Sequence, residues 1–280
     1  MAVRAAAEGQ LVAACGAQRQ GAARRATNAG IQRAARTPRV STINLALCLE
    51  REDKQDEDAM KVLVFGATGM VGQGVLLECL RDPTVELAVT LGRRASGMRD
   101  AKIRELVHAD LAHCAPIEDQ LAGLDACFFC LGVSSSGMKE ADYDRITYGL
   151  TLAAAEALSK INPGMTFIYV SGSGTDSSEK GRIMWARVKG RTENALLRLP
   201  LDSYMFRPGV IQPMDGIKSK TPAYQIPYTI LGPLLPLLRW ALPNHVLSTR
   251  EIGHAMLAVA EHGYEKRVLE TKDIRAVVQR

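Results

Sequence analysis

Short apolar runs alternate with segments of helical periodicity along most of this 280-residue chain. The apolar runs predict strands near residues 61–66, 86–92, 106–109, 126–132, 166–172, 203–210 and 266–270. Apolar positions three and four residues apart predict helices near residues 72–81, 116–122, 139–160, 182–199, 249–263 and 273–279. Strands that alternate with helices are typical of an α/β fold, so we expect a doubly wound parallel sheet covered by helices on both faces.

Two segments depart from this alternation. Residues 212–248 hold six prolines and many leucines, and we expect them to form a small C-terminal substrate cap. Residues 1–49 hold seven arginines, no lysine and a single acidic residue, a composition that resembles an organellar presequence. A start codon placed upstream of a true initiator at Met60, or a disordered tail, would also account for it. We therefore predict a leader over residues 1–59 and one domain over residues 60–280.

Charge and cysteine content narrow the function classes. Residues 1–59 hold nine lysines and arginines against seven acidic residues, so the formal net charge of +5 leaves +3 for residues 60–280, which is too small for a nucleic-acid footprint. The six cysteines lack metal-ligand or disulfide spacing, and the five histidines lack a metal-like partner one helical turn away. We expect a cytoplasmic protein without a metal, or an organellar one if residues 1–49 are a presequence. No run of 18 apolar residues occurs, so we expect no integral membrane span.

The most informative stretch is a glycine-rich turn, Gly66-Ala67-Thr68-Gly69-Met70-Val71-Gly72, directly behind the first predicted strand. Three glycines at this spacing favour a dinucleotide site, because backbone N–H groups and the dipole at a helix start attract a pyrophosphate. Glycine is needed since a Cβ would block the turn or the approach of the phosphate. The predicted dinucleotide contacts in this turn are Gly66, Thr68, Gly69, Met70, Val71 and Gly72.

Further motifs follow the glycine turn in a characteristic order. They are Asp110-Leu111, Cys130-Leu131-Gly132, Ser171-Gly172-Ser173, Lys189 within Ala186-Arg187-Val188-Lys189-Gly190, and Arg207-Pro208-Gly209. In this order and spacing, residues 61–275 resemble the extended and atypical short-chain dehydrogenase/reductases, a superfamily of NAD(P)-dependent epimerases, dehydratases and reductases. The resemblance implies a Rossmann-like fold, a nicotinamide cofactor and a small-molecule substrate.

The resemblance also implies roles for single residues. Asp110 would meet the adenine, Gly132 would pass close to the cofactor, and Lys189 would hold the nicotinamide ribose. The other cofactor contacts that we expect are Leu111, Leu131, Pro208 and Gly209. Either Ser171 or Ser173 would take the place of the family's catalytic serine. Which of the two does so stays open, as does the alternative that both hydroxyls are simply satisfied in a loop.

The end of the second predicted strand bears on which cofactor is bound. Family members that prefer NAD usually present an acidic side chain to the ribose 2′-hydroxyl at this point. This chain has Arg93 and Arg94 there, and a guanidinium suits a 2′-phosphate because it pairs with the phosphate oxygens through two hydrogen bonds. We predict NADP as the cofactor, with NAD as the alternative if these arginines belong to a solvated loop.

One residue of the family pattern is missing. Members carry a tyrosine four residues before the lysine, and the lysine cation helps that phenol to exchange a proton with the substrate oxygen. This chain has Trp185 at that position, and an indole N–H donates a hydrogen bond but has no accessible acid–base chemistry. The usual route of proton transfer is therefore excluded.

Another tyrosine could supply the proton. Tyr148, on the predicted helix 139–160, is our candidate for this catalytic role, and Tyr143 on the same helix is an alternative. Tyr224 and Tyr228 in the predicted cap are further alternatives. Each of them could instead be a packing residue.

Two functions of different classes fit these residues. The first is an NADP-dependent oxidoreductase or epimerase-like enzyme that acts on a small apolar carbonyl or alcohol. The second is a catalytically degenerate sensor or scaffold that keeps the bound nucleotide and lacks the proton donor. The apolar segment 228–240 could line the substrate pocket, form a homodimer surface or touch a membrane interface.

Overall fold

The computed structural model describes residues 59–217 and 245–279. Its strands are β1 (Met60–Phe65), β2 (Val85–Gly92), β3 (Ile103–Val107), β4 (Ala126–Phe129), β5 (Thr166–Val170), β6 (Asp202–Arg207), β7 (Val210–Gln212), β8 (Val246–Ser248) and β9 (Val268–Glu270). Seven of them form one parallel sheet in the order β3-β2-β1-β4-β5-β6-β9. The strand order reverses between β1 and β4, which opens a crevice at their carboxyl ends. The predicted doubly wound, Rossmann-like α/β fold is confirmed.

Helices pack against both faces of this sheet. They are α1 (Met70–Arg81), α2 (Glu118–Leu121), α3 (Glu140–Asp144), α4 (Leu150–Ile161), α5 (Met184–Leu196), α6 (Thr249–His262) and α7 (Thr271–Val278). Alternate residues of β1 point to opposite faces. Val62 and Val64 pack in one hydrophobic core with α1, α6 and α7, and Leu63 and Phe65 pack in a second core with α4. The central strand is therefore buried on both sides.

The predicted strand at 203–210 is divided in two. β6 ends at Arg207, and β7 begins at Val210 and pairs with β8 in a separate two-stranded parallel sheet. Pro208 accounts for the break because it has no N–H to donate to a ladder of hydrogen bonds. β8 was not predicted, since its three residues are too short to give a period.

Three other predicted elements differ in extent. The predicted helix 139–160 is divided into α3 and α4 by a π-helical stretch, Arg145–Gly149, and hydrophobic spacing does not resolve one extra residue per turn. The strand expected at 106–109 begins three residues earlier, as β3. The helix expected at 116–122 is a single 3₁₀ turn, Ala115–Ile117, followed by the four residues of α2.

Parts of the predicted domain layout lie outside the described residues. These parts are residues 1–58 of the expected leader and residues 218–244 of the expected cap, including Tyr224 and Tyr228. Within the described ranges, no helix is long and apolar enough to cross a membrane.

Two arginines fix the segment that leads into the expected cap. Asp215 has a φ of 57°, and its carboxylate accepts hydrogen bonds from Arg250 of α6 (Nε, 3.0 Å) and Arg81 of α1 (Nη2, 2.9 Å). These hydrogen bonds hold the pKa of the Asp215 carboxyl well below its usual range. The chain is thus tied to two helices of the domain just before residue 218.

Candidate functional site

The glycine turn between β1 and α1 has the geometry of an anion-binding site. Gly66 adopts a φ of 75°, and a Cβ there would lie 2.8 Å from the backbone of Cys130 and Leu131. A Cβ on Gly72 would collide with the carbonyl oxygen of Gly66. Gly69 is the N-cap of α1, and no side-chain cap or acidic residue occupies this first turn in the described structure. Its backbone N–H groups therefore remain available to an anion.

A small cavity of about 60 Å³ lies between the glycine turn and the end of β2. It is lined by Gly66, Ala67, Thr68, Thr90, Leu91, Gly92, Arg93, Arg94, Ser96, Leu111 and Leu131. The structure thus brings Arg93 and Arg94 beside the glycine turn. Both arginines are exposed, and neither forms an ion pair with a described residue.

A larger cleft of about 500 Å³ opens where the carboxyl ends of β4, β5 and β6 meet the glycine turn. The predicted site residues that line it are Gly69, Met70, Val71, Leu131, Gly132, Ser171, Ser173, Trp185, Lys189, Pro208 and Gly209. Its other lining residues are Cys130, Val133, Ser134, Ser135, Tyr143, Val170, Gly172 and Ile211. One crevice therefore brings together the glycine turn and the motifs that contain Leu131, Ser171, Lys189 and Pro208, although they are spread from residue 66 to residue 209.

Two of the predicted cofactor residues line neither cavity. Gly72 is buried where α1 packs against the turn, so its contribution is to let the helix approach. Asp110 is exposed, and its carboxylate accepts a hydrogen bond from the backbone N–H of Ala112 (3.0 Å). The next residue, Leu111, is buried and lines the small cavity.

The tyrosine that lines the large cleft is Tyr143, not Tyr148. The ring of Tyr148 packs beneath the guanidinium of Arg191, with 4.4 Å between Cζ and the ring centroid. Tyr143 is 1% exposed and lines the cleft from α3. Side chains share a helix face when they are three or four residues apart, and these two tyrosines are five apart. The sequence alone did not indicate which of the two points inward.

A buried ion pair between Glu193 and Arg207 lies behind the cleft. Glu193 is linked to Lys189 through Ser171. The Lys189 ammonium donates a hydrogen bond to the backbone carbonyl of Ser171, and the Ser171 hydroxyl donates one to the Glu193 carboxylate (2.5 Å). Glu193 is 1% exposed and pairs with Arg207 of β6 (Nε to Oε1, 3.0 Å). Arg207 also reaches Glu270 (3.2 Å). Sequence reasoning missed Glu193, whose one signal is its position one helical turn after Lys189.

The two candidate serines differ in what their hydroxyls can do. The Ser171 hydroxyl is already bonded to Glu193, and Ser171 is buried. Ser173 is exposed in the cleft, and its backbone N–H donates to the carbonyl of Pro208 (2.9 Å). Its hydroxyl forms no hydrogen bond with any residue in the described part of the chain. Ser173 is therefore the serine whose hydroxyl can reach a ligand without breaking an internal bond.

Lys189 and Trp185 set the chemistry of the cleft wall. Burial lowers the pKa of the Lys189 ammonium to about 8, and the Glu193 carboxylate acts in the opposite direction. Trp185 lies one helical turn earlier, and a Cβ on Gly174 would contact its ring at 3.5 Å. At neutral pH the described lining of the cleft thus carries one ammonium, that of Lys189. The indole of Trp185 occupies the position at which family members carry a phenol.

Part of this chain is similar to known proteins. The model of the NAD dependent epimerase/dehydratase family matches residues 62–181, from β1 to the loop before α5. Curated relatives include Protein FMP52-2, mitochondrial, of Scheffersomyces stipitis, 27% identical over 55% of this chain and 67% of its own length. Protein fmp52-1, mitochondrial, of Aspergillus terreus is 29% identical over 54% of this chain and 66% of its own. The alignments thus span about two thirds of these relatives.

Solved structures share the fold. The Bordetella bronchiseptica enzyme WbmF in complex with NAD+ has a TM-score of 0.56 and 14% identity, over 80% of this chain and 78% of that one. The DesIV double mutant, a dTDP-glucose 4,6-dehydratase from Streptomyces venezuelae with NAD and DAU bound, has a TM-score of 0.54 and 15% identity, over 78% and 80%. The predicted resemblance to the extended short-chain dehydrogenase/reductases is confirmed by the family match and this shared fold.

Proposed function

We propose that this chain, which carries a domain of the NAD dependent epimerase/dehydratase family at residues 62–181, is an NADP(H)-dependent oxidoreductase or epimerase-like enzyme. Its substrate would be a small apolar carbonyl or alcohol. The observation that carries the proposal is the cleft in which the glycine turn, Lys189 and Ser173 meet.

The glycine turn supports binding of a dinucleotide. The uncapped first turn of α1 offers backbone N–H groups to a pyrophosphate, and the glycines at 66 and 72 keep the approach open. Lys189 would hold the nicotinamide ribose, while Leu111 and Leu131 would line the adenosine end of the site. A bound nicotinamide supplies or accepts a hydride, and the protein supplies orientation and proton transfer.

Arg93 and Arg94 support a preference for NADP(H) over NAD(H). Both line the small cavity beside the glycine turn, where the adenosine ribose would lie, and both are free of ion pairs with described residues. A guanidinium pairs well with a 2′-phosphate, and one charged hydrogen bond contributes about 1.5–3 kcal/mol. This corresponds to about 10- to 150-fold in affinity.

The lining of the large cleft supports an apolar substrate. Among its lining residues in the described part of the chain, Lys189 alone carries a charge at neutral pH. Val133, Trp185 and Ile211 contribute apolar surface, and Ser173 contributes a hydroxyl. A ligand with several charges would lose its hydration here without gaining ionic partners, so a neutral carbonyl fits better.

A degenerate sensor or scaffold is the second candidate. The observation that favours it is Trp185, because the indole cannot take over the proton transfer of a phenol. Such a protein would bind NADPH with the same preference but reduce no carbonyl. Turnover therefore separates the two functions, whereas cofactor affinity does not.

We also propose a mitochondrial location in place of the cytoplasmic one. Two observations support it: the curated relatives are named mitochondrial, and the arginine-rich, acid-poor composition of residues 1–49 resembles that of a presequence. Residues 1–59 fused to a fluorescent protein should direct it to mitochondria, and a diffuse signal would contradict the proposal. Light scattering can test the homodimer that was one of the alternatives for segment 228–240.

The cofactor and turnover can be tested together. Calorimetric titration should show that NADPH binds at least several-fold tighter than NADH, and Arg93→Ala should reduce that preference. Arg99→Ala is the matched control, because Arg99 is an exposed arginine near the same loop that lines neither cavity. NADPH oxidation with a panel of aldehydes, ketones and quinones then tests catalysis. Equal affinity for both cofactors would refute the NADP preference, and no turnover would favour the sensor.

A further inference from the structure

We infer that Tyr143 is the proton donor of this site and fills the role that Trp185 cannot. The inference rests on the proposed oxidoreductase function and identifies the residue that completes its chemistry. The cleft would then be an active site whose proton donor lies on a different helix from Trp185, and not a degenerate site.

The position of Tyr143 in the cleft supports this role. The described tyrosines are Tyr143, Tyr148, Tyr169, Tyr204 and Tyr264, and of these Tyr143 alone lines the large cleft. It shares that lining with Lys189, Trp185 and Ser173. A proton donor must reach the substrate oxygen directly or through one water. A side chain that lines the same cleft meets the first condition for this, which is its position.

Ion pairs join the helix that carries Tyr143 to the helix that carries Lys189. Glu140 of α3 pairs with Arg187 of α5 (2.7 Å), and Asp144 pairs with Arg191 one turn further along both helices. Tyr143 lies between the two acids in the sequence, and Lys189 lies between the two arginines. The pairs therefore fix the register of α3 against α5 on both sides of the residues that face the cleft.

The Tyr143 phenol lies within electrostatic reach of a second buried tyrosine. Burial strongly raises the pKa of Tyr169, and Tyr143 adds to that effect. Tyr169 does not line the cleft. Both tyrosines are buried, and of the two Tyr143 is the one that lines the cleft.

Tyr143 would supply the proton in the reduction of a carbonyl. The substrate carbonyl carbon would accept a hydride that a bound reduced nicotinamide supplies, and the carbonyl oxygen would accept the proton of the Tyr143 hydroxyl, which gives the alcohol. The carbon gains two electrons and is reduced. The phenolate left on Tyr143 then recovers a proton from solvent through the open cleft. A phenol carries its proton at neutral pH, so the donor is loaded before each turnover.

Kinetics of single variants give the first test. Tyr143→Phe should lower the rate of NADPH oxidation about 10²- to 10⁴-fold, the usual contribution of a general acid, and leave the Kd for NADPH within about two-fold. Tyr148→Phe is the competing variant and should stay near the wild-type rate. Adding Trp185→Tyr to Tyr143→Phe should restore part of the rate, because it places a phenol one turn from Lys189. A Tyr143→Phe enzyme as fast as wild type would overturn the inference.

A second readout does not depend on turnover. In a Trp240→Phe background Trp185 is the sole tryptophan of the chain, and its emission falls when a nearby phenol ionises. An alkaline quenching step should be present in that background, absent when Tyr143→Phe is added and kept when Tyr148→Phe is added. A step that survives Tyr143→Phe would contradict the placement of this phenol at the cleft.

A third experiment leaves Tyr143 in place and applies if the Tyr143→Phe protein does not fold. Chains that keep Tyr143 but carry Tyr148→Phe, Tyr224→Phe and Tyr228→Phe can be made with 3-fluorotyrosine, whose phenol is more acidic. The alkaline limb of the pH–rate profile should then move to lower pH, and an unmoved limb would overturn the inference. If the wild type reduces no carbonyl at all, the proposed function itself fails and the inference fails with it. An active wild type with an unaffected Tyr143→Phe variant removes the inference alone.

Discussion

At the scale of single residues, we expect the half-buried Lys189 to make cofactor binding depend on pH. Burial lowers the pKa of its ammonium to about 8, so the cation is present below that pH and is lost above it. Lys189→Ala should weaken NADPH binding about 5- to 150-fold at pH 7, because a charged hydrogen bond contributes about 1–3 kcal/mol. Wild-type affinity should fall toward that of the variant between about pH 7 and 9. Calorimetric titration across this range measures both effects.

The matched control for Lys189 is Lys160, an exposed lysine in the last turn of α4 that lines neither cavity. Lys160→Ala should bind NADPH as the wild type does and keep the wild-type pH dependence. Full affinity in Lys189→Ala, or wild-type affinity that is flat from pH 7 to 9, would show that this ammonium does not hold the cofactor.

Residue types could be predicted from the sequence more reliably than side-chain directions. The glycine turn and Lys189 were identified because each belongs to a local pattern with a fixed spacing. The choice between Ser171 and Ser173 depends on Glu193, a long-range partner that no local spacing reveals. Long-range packing, which decides where a side chain points, lies beyond what one sequence can show.

At the scale of elements, the contact between the glycine turn and α1 sets the geometry of the anion site. A Cβ on Gly72 would collide with the backbone of Gly66, whereas one on Gly69 would lie 3.3 Å from the same carbonyl oxygen. Gly72→Ala should therefore destabilise the domain by about 1–3 kcal/mol or more, since neither backbone can yield without moving the helix. Gly69→Ala should cost less. Urea denaturation of both variants measures the difference.

Two further measurements complete this prediction. Gly132→Ala is the matched control for stability, because a Cβ there would meet no atom within 4 Å, and it should unfold like the wild type. Gly72→Ala should also lose NADPH affinity if it folds, since the helix start would move away from the turn. Equal stability of the Gly72→Ala and Gly132→Ala proteins would contradict the packing argument.

Helices and strands could be predicted where regular apolar spacing extends over several residues. The core strands and the helices α1, α5 and α6 were expected within a few residues of where they lie, because each carries several apolar positions at a clear spacing. The π-helical stretch Arg145–Gly149 and the three-residue strands β7 and β8 were missed. The two strands depend on long-range pairing, and the π-helical stretch depends on one added residue per turn. Neither feature changes the local hydrophobic pattern enough to be detected in the sequence.

At the scale of the whole molecule, the domain has a complete hydrophobic interior in the residues described. Two cores lie on opposite faces of the sheet, and the central strand β1 contributes to both. β1 begins at Met60 and pairs with β2 on one side and β4 on the other. The expected leader, residues 1–59, has no apolar periodicity of its own. The fold should therefore depend on residue 60 onward and not on the residues before it.

A chain shortened to begin at Met60 tests this dependence. Its Tm should lie within about 2 °C of that of the full chain, because a loss of 1 kcal/mol shifts a domain of this size by about 2–4 °C. A second chain that begins at Val64 removes most of β1, which is buried on both faces and paired on both edges, and it should fail to fold. Differential scanning calorimetry measures the Tm of the full chain and of the two shortened chains, and titration measures their affinity for NADPH. A fall in Tm well beyond about 4 °C for the chain from Met60, with the chain from Val64 no worse, would show that the leader packs on the domain and contributes to its stability.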